Sequence, residues 1–237
     1  MQRIAVITLF PELFEAFGST SLVGRAMEAG LLSLHLEALR PYGLGKHLSV
    51  DDTPYGGGSG MLMRVDCLVA ALEAVDAQFV SEGPFHRVLV TPQGAPFKQS
   101  AALALSQKPR IVYVCGRYEG FDERVRQFVH QEISLGDFVL TGGEVAAMAM
   151  IEASARLIPG VLGNESSACE ESFSEAQQGG LEYPQYTRPV EFRGLGVPEV
   201  LKSGDHAKIA EYRRMQAAER TAVRRADLVS VQSKGKL

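Results

Sequence analysis

The sequence predicts an α/β protein built on a largely parallel sheet, and three observations carry that reading. β-Branched apolar runs alternate with helical stretches through the first 160 residues, the pattern of parallel strands joined by crossover helices. Several of the runs end in glycine-bearing turns, where a missing Cβ lets backbone amides approach a ligand closely. A hydrophobic fraction of 46% with 22% charged residues is ample for a core, and 237 residues allow one large domain or two small ones.

Taken in order, residues 4–10 form a first strand, stopped by Pro11, which suits the first turn of a helix. Residues 12–17 and 23–29 read as helical pieces broken around Gly18-Ser19-Thr20, with Gly30 closing the second piece. Residues 32–36 alternate apolar with polar and read as a second strand. A helix over 65–75, a strand over 87–91, a helix over 99–105 and a strand over 110–115 follow. Residues 138–140 read as one more short strand, set between Leu135-Gly136-Asp137 and Thr141-Gly142-Gly143. Residues 144–157 are rich in alanine and methionine and apolar nearly all round, so this helix should be buried; Pro159-Gly160 ends it.

From residue 161 to 182 the character changes. Glu165, Glu170, Glu171, Glu175 and Glu182 occur there without a basic residue, and Gln177-Gln178-Gly179-Gly180 follows, so this stretch reads as a linker holding a domain boundary. Farther on, Asp205 can cap a helix from His206 to about residue 223, which carries Lys208, Arg213, Arg214 and Arg220, with Arg224-Arg225 at its end. Residues 202–237 hold nine Lys/Arg against four Asp/Glu, while residues 1–201 hold 15 against 24. A basic tail on an acidic body reads either as a polyanion-binding surface or as a solvated helix face.

Several chemistries find no support. No apolar run approaches the roughly 18–20 residues of a membrane span, and the N-terminus lacks the long apolar region of a signal peptide. Cys67, Cys115 and Cys169 are odd in number and far apart, which argues against a disulfide framework or a zinc site and fits a reducing cytoplasm. His35, His47, His86, His130 and His206 are scattered, and no Gly-x-Ser-x-Gly elbow accompanies them. The glycine-rich run at 56–60 matches neither a P-loop nor a dinucleotide fingerprint. It reads as a surface connection or as a binding loop, the latter favoured by the flanking Asp51, Asp52, Tyr55 and Met61. Asp51-Asp52 alone is weak evidence for a metal. Arg156, the one charge near the end of an apolar helix, requires an anionic partner, supplied by a downstream glutamate or by a ligand.

The turns after the strands assemble into a candidate ligand cradle. Its members are Thr91, Pro92, Gln93 and Gly94; Gly116, Arg117, Tyr118, Glu119 and Gly120; and Ser134, Leu135, Gly136, Asp137, Phe138, Val139, Leu140, Gly142 and Gly143. A main-chain cradle, a carboxylate-rich linker and a basic helical tail fit a nucleic-acid-modifying enzyme that uses a small cofactor.

Several runs resemble the bacterial tRNA (guanine-N1)-methyltransferase family, TrmD. They are Asp51-Asp52-x-Pro54-Tyr55-Gly56-Gly57-Gly58-x-Gly60-Met61, Gly116-Arg117-Tyr118-Glu119-Gly120-x-Asp122-Glu123-Arg124-Val125 and Ser134-x-Gly136-Asp137-x-Val139-Leu140-x-Gly142-Gly143-Glu144. The runs from Ile158 to Gly163, Tyr186 to Pro189, Val197 to Gly204 and Arg220 to Arg225 follow in the family's order. The resemblance implies a SPOUT-type knotted (trefoil) parallel-sheet domain over 1–161 that binds S-adenosylmethionine in the cradle. It also implies a linker over 162–182 and a smaller helical tRNA-binding domain over 183–237. A homodimer, magnesium and a cytoplasmic location come with it. The implied reaction is methylation at N1 of the guanosine immediately 3′ of the anticodon, position 37, which protects the reading frame. tRNA contacts are expected at Asp52, Tyr55, Arg188, His206, Arg213, Arg214, Arg220, Arg224 and Arg225.

For catalysis the resemblance assigns a general base to the acidic residue of a Glu-Asp-Ser-Phe motif and a supporting role to Arg156. This chain reads Glu170-Glu171-Ser172-Phe173, so Glu171 stands where the family has Asp, its carboxylate about 1.5 Å farther out. Val145 stands where the family usually has Pro. Two rival readings are a knotted methyltransferase acting on ribosomal RNA and a tRNA-binding protein without catalysis.

Overall fold

A computed structural model describes residues 1–163 and 171–229 of the chain, so Glu165, Cys169 and Glu170 lie outside the described residues. The chain divides into two units, Met1–Gly163 and Asn164–Leu237.

In the first unit β1 (Gln2–Thr8), α1 (Leu13–Ser19), α2 (Ser21–Glu28) and β2 (Leu32–Ala38) come first. The short strands β3 (Asp51–Asp52) and β4 (Leu62–Met63) follow, then α3 (Val65–Gln78), β5 (His86–Pro96), α4 (Gln99–Ser106) and β6 (Arg110–Cys115). β7 (Gln131–Ser134) and α5 (Glu144–Ala155) complete the unit. The main sheet has the order β2-β1-β6-β5-β7, and every pairing in it is parallel.

The sheet has a core on each face because successive strand side chains alternate. Ile4 and Val6 of β1, with Ile111 and Tyr113 of β6, pack with Phe14, Leu105, Met150 and Ile151. Ala5 and Ile7, with Val112 and Val114, pack with Leu68, Ala71, Leu72 and Val75 of α3. Two buried faces explain why these strands read as continuous apolar runs.

Two expectations change and a third is met. Residues 138–140 form no strand: the fifth strand of the sheet is β7, and Phe138 N donates to Gly136 O (2.9 Å) as the chain turns away. β5 does not stop at residue 91 but resumes its pairing with β7 at Ala95. α5 is buried as expected, but by its own unit: Ala146, Ala147, Met150, Ile151 and Ala155 join the sheet's core, and Val145 is left exposed. Its apolarity is therefore no argument for a subunit interface.

In the second unit β8 (Glu191–Phe192) and β9 (Leu195–Gly196) form a hairpin, and α6 (His206–Arg224) is the long helix. Asp205 caps α6 through its side chain, which accepts from Lys208 N (3.1 Å), and those bonds hold its carboxyl below the usual range. Residues 171–182 are no open tether. Phe173 N donates to Gly180 O (2.7 Å), Gly179 N to Ser174 O (2.9 Å) and Leu181 N to Thr221 Oγ1 of α6 (2.8 Å). Gln177-Gln178-Gly179-Gly180 is thus a closed turn seated on a helix, with Gly180 buried.

Candidate active site

A cavity of about 410 Å³ opens in the first unit at the carboxyl ends of β5, β6 and β7. That is where open parallel sheets bind ligands, and the size suits one small molecule.

The first wall is a bulge inside β5. Val90 pairs with Ile133 and so does Ala95, so residues 91–94 leave the ladder and return to the same partner. Gln93 N donates to Thr91 Oγ1 (3.3 Å) within the bulge. Thr91, Pro92 and Gln93 line the cavity; Gly94 does not, since a Cβ there would come within 2.6 Å of Ile133 C on β7.

The second wall is residues 116–120. Gly116 O accepts from Gly143 N (2.8 Å), tying this turn to the start of α5. Arg117 reaches the fully buried Glu144, with Nη2 2.9 Å from Oε2, while Thr8 Oγ1 donates to Glu144 Oε1 (2.9 Å) and the Arg117 guanidinium lies over the Phe10 ring at 4.4 Å. Burial, with the Glu144 charge adding to it, pushes the neighbouring Cys115 thiol well above its usual range, so Cys115 is an inert core residue. Tyr118 holds a left-handed backbone, φ 59°, at the tip.

This turn is also stitched to the glycine-rich run that the sequence left between two readings. Glu119 N donates to Met61 O (3.0 Å), Met63 N to Gly120 O (2.9 Å) and Asp122 N to Met63 O (3.0 Å). Residues 53–61 are therefore the connection of the β3–β4 ribbon, anchored by main chain to the cavity wall. Asp52 pairs with Arg64 (2.9 Å), which argues further against a metal at Asp51-Asp52, and Tyr55 is fully exposed.

The third wall is residues 134–143. Ser134 Oγ donates to Gly136 O (3.0 Å), turning the chain at once after β7. Ser134, Leu135, Gly136, Phe138, Val139, Leu140, Thr141, Gly142 and Gly143 line the cavity; Asp137 is exposed beside it. A Cβ on Gly142 would sit 2.5 Å from Arg117 Cζ, and one on Gly116 would sit 2.7 Å from Phe121 Cζ. These two glycines answer the protein's own packing, so bulky replacements would disturb the fold as well as any ligand.

The structure therefore brings the three expected turns around one cavity, Gly94 and Asp137 excepted. Sequence reading missed Leu62, Val90, Phe121, Glu123, Arg126, Ile133, Thr141 and Ala146, which also line it. Glu123 lies within the Asp122–Val125 run of the family resemblance, and Arg126 follows it directly. Asp122 caps the 3-10 helix Glu123–Phe128, accepting from Arg124 N (2.9 Å), and the Arg124 side chain holds its carboxyl below the usual range.

Of the remaining expected residues of the first unit, Asp52, Tyr55 and Arg156 do not line this cavity. Arg156 is the C-cap of α5, its backbone N–H donating to Glu152 O (3.2 Å). Glu171, in the second unit, is half-buried and its carbonyl accepts from Ser174 N (3.1 Å). Also in that unit, Arg188, His206, Arg213, Arg214, Arg224 and Arg225 are exposed and Arg220 is half-buried. Arg213 lies over the Tyr183 ring at 4.7 Å, whereas Arg214 pairs with Glu211 (2.7 Å) and Arg225 with Asp227 (2.7 Å). Among the described residues no cluster of three or more His, Cys, Asp or Glu could hold a metal ion, and no helix is long and apolar enough to cross a membrane.

A parallel α/β sheet with a glycine-walled cavity at its strand ends, followed by a unit carrying a basic helix, defines a small-ligand-binding α/β protein with a candidate polyanion surface. Comparison with known proteins narrows this class. The family model described as tRNA (Guanine-1)-methyltransferase TrmD matches residues 2–231, and the chain belongs to that family. A tRNA (guanine-N(1)-)-methyltransferase of Sorangium cellulosum is 60% identical, the match covering 95% of this chain and 92% of the relative. Enzymes of the same name from Geobacter metallireducens (52% identical; 96% and 91% covered) and Thermus thermophilus (51%; 96% and 92%) are similar to it as well.

Proposed function

We propose that this protein transfers a methyl group from S-adenosyl-L-methionine to N1 of guanosine 37, immediately 3′ of the anticodon in tRNA, and so supports reading-frame maintenance. The observation that carries the reading is the cavity walled by residues 91–93, 116–120 and 134–143 in a chain of this family. The residues fit the cofactor. Apolar Val90, Ile133, Leu135 and Ala146 offer walls for an adenosyl group, the turns offer backbone amides, and Glu119 borders the cavity with a carboxylate that suits a cation. When bound, S-adenosylmethionine supplies an electrophilic sulfonium methyl group.

The chain's own work is on the base. N1 of guanine carries a proton, and the Glu171 carboxylate takes it as N1 attacks. Negative charge moves to O6, and the Arg156 guanidinium faces it. Arg188, His206, Arg213, Arg214, Arg220, Arg224 and Arg225, with Asp52 and Tyr55 from the first unit, hold the tRNA. In this reading residues 1–161 form a knotted SPOUT-type domain, 162–182 the linker and 183–237 the helical tRNA-binding domain. The protein acts in the cytoplasm as a homodimer, to which the exposed Phe138, Val139 and Tyr118 offer apolar surface. The resemblance also implies magnesium, but among the described residues no group of three or more His, Cys, Asp or Glu would hold it, and no step is assigned to it.

The test is methyl transfer from S-adenosylmethionine to an unmodified tRNA transcript, with guanosine 37 replaced as the control. Transfer to the replaced transcript, or no transfer to either, defeats the reading.

A further inference from the structure

Arg126 is a cavity-lining charge that the reaction leaves without a task, and its surroundings are specific. Its three guanidinium nitrogens serve three acceptors from three different elements. Nε pairs with Glu123 (2.8 Å) on its own 3-10 helix, Nη1 pairs with Glu132 on β7, and Nη2 donates to Oε1 of Gln93 in the β5 bulge. With 23% of its side chain exposed and two carboxylates already on it, Arg126 is poorly placed to bind an anion. What it does instead is decide the orientation of Gln93. A carboxamide can present either an acceptor or a donor, and here the acceptor end is occupied by a fixed cation. No described residue accepts from Gln93 Nε2, and Gln93 lines the cavity.

We propose that Arg126 is a positioning residue for cofactor binding: it pins the β5 bulge through Gln93 and fixes the Gln93 carboxamide as a hydrogen-bond donor to an acceptor atom of the S-adenosyl ligand. This rests on the cavity being the S-adenosylmethionine site. Glu123 and Glu132 take part by holding the guanidinium at Nε and Nη1, so a planar fork is required and a point charge would serve less well.

The experiment is calorimetric titration of the full-length protein with S-adenosylmethionine and with S-adenosylhomocysteine, beside steady-state methyl transfer. Arg126→Met should raise both dissociation constants about tenfold, the scale of one hydrogen bond at its upper end. KM for S-adenosylmethionine should rise in parallel while kcat at saturation stays near wild type. Arg126→Lys should recover part of the loss. Gln93→Glu keeps an acceptor for Arg126 but removes the donor, and should weaken binding at least as much. Arg126→Met combined with Gln93→Met should be no worse than the worse single variant, because both remove the same interaction.

An Arg126→Met protein that melts lower but binds both ligands as wild type does would make Arg126 merely structural and overturn the proposal. Additive losses in the double variant would also overturn it. If Arg126→Met does not fold, Gln93→Glu decides: retained affinity sinks the proposal, lost affinity supports it. A wild-type protein that binds neither ligand defeats the cavity assignment itself, whereas wild-type binding unaffected in every variant defeats only the role of Arg126.

Discussion

Replacing Arg117 with methionine removes the cation that faces a carboxylate with no route to water. Glu144 is 1% exposed, and among the described residues its carboxylate is met by the Arg117 guanidinium and the Thr8 hydroxyl. Stripping one partner from a buried ion pair is expected to destabilise by about 3–5 kcal/mol, because the remaining charge stays buried. At roughly 2–4 °C per kcal/mol for a chain of this size, Tm should fall by about 6–20 °C. The reverse change is milder. Glu144→Gln keeps the shape and the Thr8 donor's acceptor, and it leaves an Arg117 whose side chain is 22% exposed and can hydrate. The double variant Arg117→Met with Glu144→Gln should be more stable than Arg117→Met alone, since no uncompensated charge remains. Urea unfolding of the full chain at neutral pH, followed by circular dichroism, reads all three. An Arg117→Met protein within about 1 kcal/mol of wild type would refute the reasoning, and so would a double variant whose loss equals the sum of the singles.

Glu171→Gln should slow methyl transfer by about 10²-fold or more with little change in binding, while Glu171→Asp retains activity; rapid-quench assays on a tRNA transcript separate these. Full activity in Glu171→Gln with none in Glu170→Gln would shift the base by one residue. Burial lowers the pKa of His130 from its usual 6.5, with His86 adding to it, and its Nδ1 accepts from Arg87 N (3.0 Å) in the neutral form. The stability this confers is complete above pH 6.5 and is lost as pH falls through the lower folded value, because the unfolded chain binds the proton more readily. His130→Asn, which keeps an acceptor, should flatten the decline of Tm on that acid side. Replacing Arg213, Arg220 and Arg224 together with glutamine should weaken tRNA binding and reduce the salt slope by about one unit for each phosphate no longer neutralised. Asp205→Ala should cost about 1 kcal/mol of stability in the second unit, seen as faster amide exchange at the start of α6.

The sheet was legible because strands buried on both faces, such as β1 and β6, write themselves as unbroken β-branched runs. The long helix was legible because Asp205 announces its start. Other features depend on partners that no local pattern encodes. The bulge at 91–94 looks like a chain-ending turn until Ile133 is seen to pair on both sides of it. Residues 138–140 are as apolar as a strand, yet Ser134 and Gly136 turn the chain before they can pair, and they line a cavity instead. The Gln177–Gly180 run has the composition of a tether but is closed by its own backbone and by Thr221. Nothing local marks Arg126, because Gln93 and Glu132 come to it from elsewhere in the sequence.

The bulge in β5 also bears on how the cavity can be altered. Residues 91–94 begin and end on one β7 residue, so Val90 and Ala95 keep their partner while the four residues between them stand outside the ladder. Facing is set by the paired residues, so a residue added within the bulge would lengthen it without turning the buried strand before it to the other face of the sheet. The change would fall on Thr91, Pro92 and Gln93, the first wall of the cavity, and a variant with one residue inserted after Gln93 should keep its sheet and lose its fit to the ligand.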